Sequence, residues 1–276
     1  MGWEMGASPP DRFVSMNVTS PRPVRLVARL DVKGKNLIKG IRFEGLRVIG
    51  SPNDKARQYY AAGADELLYM DAVASLYNRN SLADLVSEVV KDVFIPITVG
   101  GGIRSVEDVR TLLRAGADKV ALNTAATRRP GLIREIAESF GSQCVVLSVE
   151  AKSTAPGKWE AYTDGGREKT GRDVLEWVAE GVAMGAGEVL VTSVDRDGTE
   201  KGFDLPLLSA ISALSAVPVI GSGGMGTVQH GLDLVTESDV DAVAMGRALH
   251  YDRLGLPVVR AAMKEAGVAV RQDTLV

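Results

Sequence analysis

The chain has 276 residues, 45% hydrophobic and 24% charged, with 32 basic against 35 acidic side chains and a net charge of −3. This balance gives no support for a large nucleic-acid surface or a polybasic membrane anchor. A single cysteine (Cys144) and two histidines (His230 and His250) exclude an intramolecular disulfide and argue against a Cys- or His-rich metal site. Acid–base chemistry therefore falls to carboxylates, lysine and backbone dipoles. No apolar run approaches the roughly 20 residues of a membrane span, and the N-terminus lacks an apolar signal core. The expectation is a cytoplasmic protein with no metal or other cofactor.

Residues 1–23 contain four prolines and no apolar period, and read as a disordered tail. From residue 24 to 276 short apolar runs alternate with helical patterns. The runs are Arg25–Leu30, Glu66–Met70, Ile95–Val99, Lys119–Leu122, Cys144–Val149, Glu188–Thr192, Val217–Gly221 and Ala242–Met245. They are continuous rather than alternating, as expected of parallel strands buried on both faces. The helical patterns are Asp54–Ala62, Ser81–Lys91, Val106–Arg114, Pro130–Ser139, Val174–Met184, Pro206–Leu214, Val228–Thr236 and Pro257–Ala266. Ser105 followed by acidic residues predicts an N-cap, and Gly63, Gly116, Gly185 and Gly267 sit just past helix ends. Eight strand–helix units predict one α/β domain, a (β/α)8 TIM barrel. No Gly-x-Gly-x-x-Gly follows the first strand, which argues against a doubly wound sheet.

The chain repeats itself at an offset of about 120 residues. Leu30-Asp31-Val32-Lys33 returns as Val149-Glu150-Ala151-Lys152, and Gly63-Ala64-Asp65-Glu66 as Gly185-Ala186-Gly187-Glu188. Gly100-Gly101-Gly102 returns as Ser222-Gly223-Gly224, and Ala117-Asp118-Lys119-Val120 as Val240-Asp241-Ala242-Val243. The barrel is thus read as two duplicated half-barrels.

In such barrels the C-terminal strand ends build the active site. Here they offer Asp31, Asp71, Gly101-Gly102, Asn123-Thr124, Glu150, Thr192, Asp197-Gly198, Ser222-Gly223-Gly224 and Gly246-Arg247. Glycine turns bring backbone N–H groups close to an anion. Two of them, one beside Asn123-Thr124 and one beside Gly246-Arg247, imply a substrate with a phosphate at each end. Tight turns need such glycines without any ligand, but the repetition favours phosphate sites. Asp31 and Glu150 occupy equivalent places and should face one another as general acid and base; the plainer alternative pairs one of them with Lys33 or Lys152. Of Thr192, Asp195 and Asp197, at least one is expected only to order its loop. Lys39 lies in the Gly-rich, basic segment Lys33–Pro52, which reads either as a mobile lid or as an ordinary loop. The insertion Ser153–Thr170, with Trp159 and Tyr162, suggests a small hairpin over the mouth. Cys144 is expected to be inert in a buried strand, His230 to lie on a helix surface, and His250 to be structural.

These residues, with Lys39-Gly40, Phe43-Glu44, Thr98-Val99-Gly100-Gly101-Gly102-Ile103, Phe140-Gly141-Ser142-Gln143 and Thr192-Ser193-Val194-Asp195-Arg196-Asp197-Gly198-Thr199, resemble the HisF family. HisF is the cyclase subunit of imidazole glycerol phosphate synthase. The sister isomerase HisA shares the duplication but fits less well, although Gly246-Arg247-Ala248-Leu249 looks more like HisA. The resemblance implies a HisH-like glutaminase on the N-terminal face. Its ammonia crosses the barrel and reacts with a bis-phosphorylated ribulosyl aminoimidazole intermediate. The products are imidazole glycerol phosphate and aminoimidazole carboxamide ribotide. The resemblance also implies an ammonia gate of Arg25, Glu66, Lys119 and Glu188, with Asp118 at the glutaminase interface. Departures gather at the substrate end: Glu150 stands where the family has Asp, Gly34-Lys35 where Asp-Gly is usual, Arg42 replaces Asn, and Gly246-Arg247 replaces Ala-Ser. These departures, and the segments Gly45-Leu46-Arg47-Val48 and Leu68-Tyr69-Met70-Asp71, resemble HisF-like paralogues of surface-polysaccharide pathways. That implies an alternative role, conducting ammonia to a sugar amidotransferase without cyclisation.

Overall fold

A computed structural model describes residues 22–72 and 82–272. Most of the tail, and the start of the helix expected over Ser81–Lys91, lie outside the described residues. In chain order the strands are β1 (Arg25–Lys33), β2 (Asn36–Ile41), β3 (Glu44–Gly50), β4 (Glu66–Asp71), β5 (Ile97–Gly100), β6 (Lys119–Leu122), β7 (Val145–Ala155), β8 (Lys158–Thr163), β9 (Glu168–Asp173), β10 (Glu188–Ser193), β11 (Val219–Ser222) and β12 (Ala242–Met245). Eight of them, β1, β4, β5, β6, β7, β10, β11 and β12, pair in parallel in that order, and β12 closes on β1. Helices such as Pro52–Ala61, Val106–Arg114 and Val228–Glu237 connect them, so the (β/α)8 barrel is present.

Alternation along each strand makes two cores. Val27, Leu68, Ala121, Val146, Leu190, Ile220, Ala242 and Ala244 form a cluster inside the barrel. The intervening positions, such as Leu26, Leu67 and Val189, join a larger cluster against the helices.

The aspartate repeated just before a strand now has a physical explanation. Asp65 Oδ2 accepts from Leu26 N at 2.7 Å, Asp118 Oδ2 from Ile97 N at 2.8 Å, and Asp241 Oδ2 from Val219 N at 2.9 Å. Each aspartate also donates its own N–H to the carbonyl of the residue it caps. The clamp therefore uses both backbone groups at a strand start. Gly187 keeps only the backbone half, donating to Val145 O at 3.0 Å, because a Cβ there would meet Ser142 O at 2.3 Å. Asp118, expected at an interface, has one carboxylate oxygen committed to this internal tie.

Helix starts follow the expected chemistry. Ser105 and Asp108 form a capping box, as do Thr227 and His230. His230 is thus a cap as well as a helix residue. Cys144 corrects an expectation: it ends a one-turn 3₁₀ helix, Ser142–Cys144, with its thiol toward Phe140 O, and the buried strand begins one residue later.

Two extensions reach over the mouth. Lys33–Pro52, read as a lid or an ordinary loop, is largely the antiparallel hairpin β2–β3 continuing β1. It is docked, since Arg42 N donates to Asp197 O at 2.8 Å. Gly198 packs so closely that a Cβ would lie 2.4 Å from Gly40 O. The Ser153–Thr170 insertion is an antiparallel arm, with β8 pairing the end of β7 and β9 pairing β8.

Candidate active site at the barrel mouth

β1 sends Arg25, Val27, Arg29 and Asp31 to the same inner face. At the mouth, Arg29 Nε donates to Asp31 Oδ1 at 2.8 Å. Its Nη1 reaches Thr192 Oγ1 at 2.8 Å and Ser222 Oγ at 3.1 Å on β10 and β11. Lys39 from β2 donates to Asp31 Oδ2 at 2.6 Å and to Asp197 at 3.1 and 3.2 Å. All four charged groups are buried. Two cations against two carboxylates is the composition that such burial tolerates. Burial alone would raise the Asp31 carboxyl, but the Arg29 and Lys39 charges hold it well below the usual carboxylate range. The sequence reading did not single out Arg29.

Phe43 covers the cluster, its ring 5.4 Å from Arg29 Cζ and 5.9 Å from Lys39 Nζ. It sits in the tight β2–β3 turn, where both Arg42 (φ 54°) and Phe43 (φ 60°) are left-handed without being glycine. A primed hairpin turn requires that conformation, and non-glycine residues hold it at a cost of order 1–3 kcal/mol each. The strain places an aromatic face on the two cations.

Glu150, on β7, lies diametrically across the barrel from β1. It accepts from Gly166 N at 2.7 Å in the β8–β9 arm. Burial pushes its carboxyl up to about 7, against the Gly166 N–H and the Arg29 charge. Asp31 and Glu150 line one cavity of about 260 Å³. The plainer lysine pairings are absent among the described residues: Asp31 pairs with Arg29 and Lys39, and Lys152 rests on the Tyr162 ring at 4.5 Å. One cavity thus has a carboxylate kept charged on one wall and a carboxyl that binds a proton readily on the other.

The two glycine turns are not equally open. Gly101, Gly102, Asn123 and Thr124 line the 260 Å³ cavity, with Arg104, Arg128 and Arg167 also on its walls. The counterpart turn, Gly223-Gly224 with Gly198, Ser222, Gly246 and Arg247, encloses only about 20 Å³, bordered by Arg29, Lys39 and Asp197. Packing also requires these glycines: Gly101 (φ +101°) and Gly224 (φ +113°) are left-handed, and a Cβ on them would meet Asp71 O at 2.5 Å and Gly202 O at 2.1 Å. Arg247 points its guanidinium at Glu200, 2.9 Å away, and at the Tyr251 ring. Of the residues at the end of β10 and in the loop after it, Thr192 and Asp197 hold the Arg29–Lys39 cluster, whereas Asp195 accepts from Ser153 N and orders its loop.

At the opposite end of the barrel the four expected gate residues meet. Glu66 bonds Arg25 and Lys119, both at 2.8 Å, and accepts from Thr98 Oγ1 at 2.6 Å. Glu188 bonds Lys119 at 2.6 Å and closes the circuit with Arg25. The barrel's inner apolar cluster separates this ring from Arg29 and the mouth.

His250 is buried behind the mouth, with Nδ1 2.7 Å from Tyr59 Oη. Burial, helped by the nearby Lys39 charge, pushes it down to about 4. Its folded-state value is thus below the unfolded one, so it contributes stability above about pH 6.5 that is lost as pH falls towards 4. Urea unfolding at stepped pH is expected to show this loss, at most about 3 kcal/mol, and His250→Asn to flatten it. Equal slopes for the two proteins would assign the acid sensitivity elsewhere.

No described helix is long and apolar enough to cross a membrane. Among the described residues, no group of three or more His, Cys, Asp or Glu is placed to hold a metal ion.

Comparison with known proteins bears on this site directly. The family model described as "Histidine biosynthesis protein" matches residues 25–255. The imidazole glycerol phosphate synthase subunit HisF of Legionella pneumophila is 63% identical over 206 residues, covering 75% of this chain and 97% of that protein. The subunit of the same name from Streptococcus sanguinis (strain SK36) is 47% identical over 247 residues, 90% of this chain and 98% of that protein. One from Streptococcus gordonii is also 47% identical over the same coverage. These similarities favour the cyclase reading over the conduit reading. The chain belongs to the histidine biosynthesis protein family, as a cyclase subunit of the HisF type.

Proposed function

We propose that this chain joins ammonia to a bis-phosphorylated ribulosyl aminoimidazole intermediate at the barrel mouth, with Asp31 as general base and Glu150 as general acid. Imidazole glycerol phosphate and aminoimidazole carboxamide ribotide are the products. The observation that carries this reading is the division between the two carboxyls. They share one cavity, yet Asp31 is held ionised by Arg29 and Lys39, while Glu150 is pushed up to about 7. Environments that push two carboxyls apart in this way separate acid from base.

Gly101, Gly102, Asn123 and Thr124 seat one phosphate. Gly198, Ser222, Gly223, Gly224, Gly246 and Arg247 bound the seat of the other, with Lys39, Thr192 and Asp197 beside it. Ammonia comes from a HisH-like glutaminase docked on the N-terminal face near Asp118. It enters through the ring of Arg25, Glu66, Lys119 and Glu188 and crosses the apolar interior as the neutral molecule.

The test is turnover of the intermediate with ammonium salt by the purified chain, with rates expressed per free ammonia. Turnover should fall above pH 7 as Glu150 loses its proton, and Glu150→Gln should remove that limb and lower kcat by about a hundredfold. No turnover, together with tight binding to a HisH-like glutaminase, would replace this reading with the ammonia conduit.

A further inference from the structure

One side chain divides the mouth. Arg29 borders both the 260 Å³ cavity of the first half-barrel and the 20 Å³ cavity of the second. A water needs roughly 10–15 Å³ of such space, so the second cavity holds about one water and has no room for a phosphate group. Arg29 and Lys39 occupy the space between the two glycine turns, fastened to Asp31, Asp197, Thr192 and Ser222.

The fastening of Arg29 is unequal. Its Nε is bound to a carboxylate, but among the described residues its Nη1 is bound only to two neutral hydroxyls, on Thr192 and Ser222. A phosphate is a stronger acceptor for a guanidinium than a hydroxyl, because both partners are charged and the planar fork matches two phosphate oxygens. A turn of the guanidinium about its Nε–Asp31 bond, beneath the Phe43 ring 5.4 Å from Cζ, would keep that carboxylate pair. That movement empties the space beside Gly223 and Gly224 and frees the hydroxyls of Thr192 and Ser222, of which Ser222 lines the second seat.

We propose that Arg29 is a specificity-determining residue: a bis-phosphorylated ligand places one phosphate in the open first-half cavity and draws the Arg29 guanidinium off Thr192 and Ser222 as a clamp for the other. The proposal rests on the reading of the chain as a cyclase for a bis-phosphorylated intermediate and adds how that substrate is told from a mono-phosphorylated one. A single phosphate fills the open cavity and leaves Arg29 at rest. Only a molecule long enough to span the mouth opens the second seat.

Calorimetric titration tests this with two probes: inorganic phosphate, and the intermediate itself in ammonia-free buffer, where it cannot turn over. Arg29→Met should weaken the intermediate about 30-fold while changing inorganic phosphate less than twofold. Removing a buried charge can compromise folding, so Arg29→Lys is the second variant. It keeps the charge but not the fork, and should weaken the intermediate about fivefold with the phosphate unchanged. Thermal melts establish that each variant is folded. Unchanged affinity for the intermediate in both variants, or equal losses for both probes, overturns the role of Arg29 alone. Wild-type protein that binds inorganic phosphate but not the intermediate overturns the cyclase reading and this proposal with it.

Discussion

Replacing Asp31 with asparagine is expected to lower kcat for ammonium-dependent cyclisation by about a thousandfold, with a smaller change in KM. Among the described residues, the carboxylate is the only side chain that both Arg29 Nε and Lys39 Nζ reach, at 2.8 and 2.6 Å. An amide keeps the shape but cannot take a proton. It also takes away the carboxylate that both buried cations touch, leaving Lys39 its bonds to Asp197. Breaking a buried pair costs about 3–5 kcal/mol, so part of any loss will be structural. Asp197→Asn separates the two effects. It removes the other carboxylate of the same cluster, so its melting temperature should fall comparably while kcat falls only about tenfold. Steady-state kinetics and thermal melts on both variants check this. An Asp31→Asn protein that keeps a tenth of its kcat would remove Asp31 from the chemistry.

The second large effect lies at the other end of the barrel. Glu66 accepts from Arg25, Lys119 and Thr98 and is only 2% exposed. Glu66→Gln should cost about 3–5 kcal/mol. At about 2–4 °C per kcal/mol for a chain of this size, that lowers the melting temperature by roughly 10 °C. Replacing all four ring residues with apolar ones should restore most of that stability, because no charge is then left unpaired. The functional question is decided by the same four-residue variant. With the glutaminase present, glutamine-dependent turnover should fall at least tenfold while ammonium-dependent turnover is retained. Equal rates from both ammonia sources would make the ring a structural brace only.

The eight strands were legible because each is buried on both faces, and a continuous Val/Ile/Leu run is a local signal. Asp31 and Glu150 were legible because the duplication aligns them. The β2–β3 hairpin was not: its segment is rich in Gly, Lys and Arg, and its strands form through pairing with β1 and docking on Asp197, contacts that composition does not carry. Arg29 was overlooked for the opposite reason. It sits inside an apolar run and was read as part of the strand, although an arginine two residues before Asp31 must share its inward face. That signal was available. The unequal room at the two glycine turns was not, because their symmetry is in the sequence while their closure depends on where Arg29 and Lys39 reach. The bottom ring follows from the family resemblance, whereas its four-membered circuit depends on how far Arg25 and Lys119 reach across the barrel.

The aspartate clamps divide the barrel more finely than its two halves. Asp65 ties β1 to β4, Asp118 ties β5 to β6, and Asp241 ties β11 to β12. Every clamp joins an odd barrel strand to the even one that follows it. The smallest self-fastened piece is therefore a strand pair with its intervening helix, a quarter of the ring. Only the quarter of β7 and β10, with Gly187 in the aspartate's place, lacks the carboxylate. New chain ends placed between quarters would leave every clamp intact, whereas ends placed within the first, second or fourth quarter would separate an aspartate from the strand it pins. The seams at which this barrel can be opened, permuted or shuffled are thus marked by three carboxylates far from the chemistry.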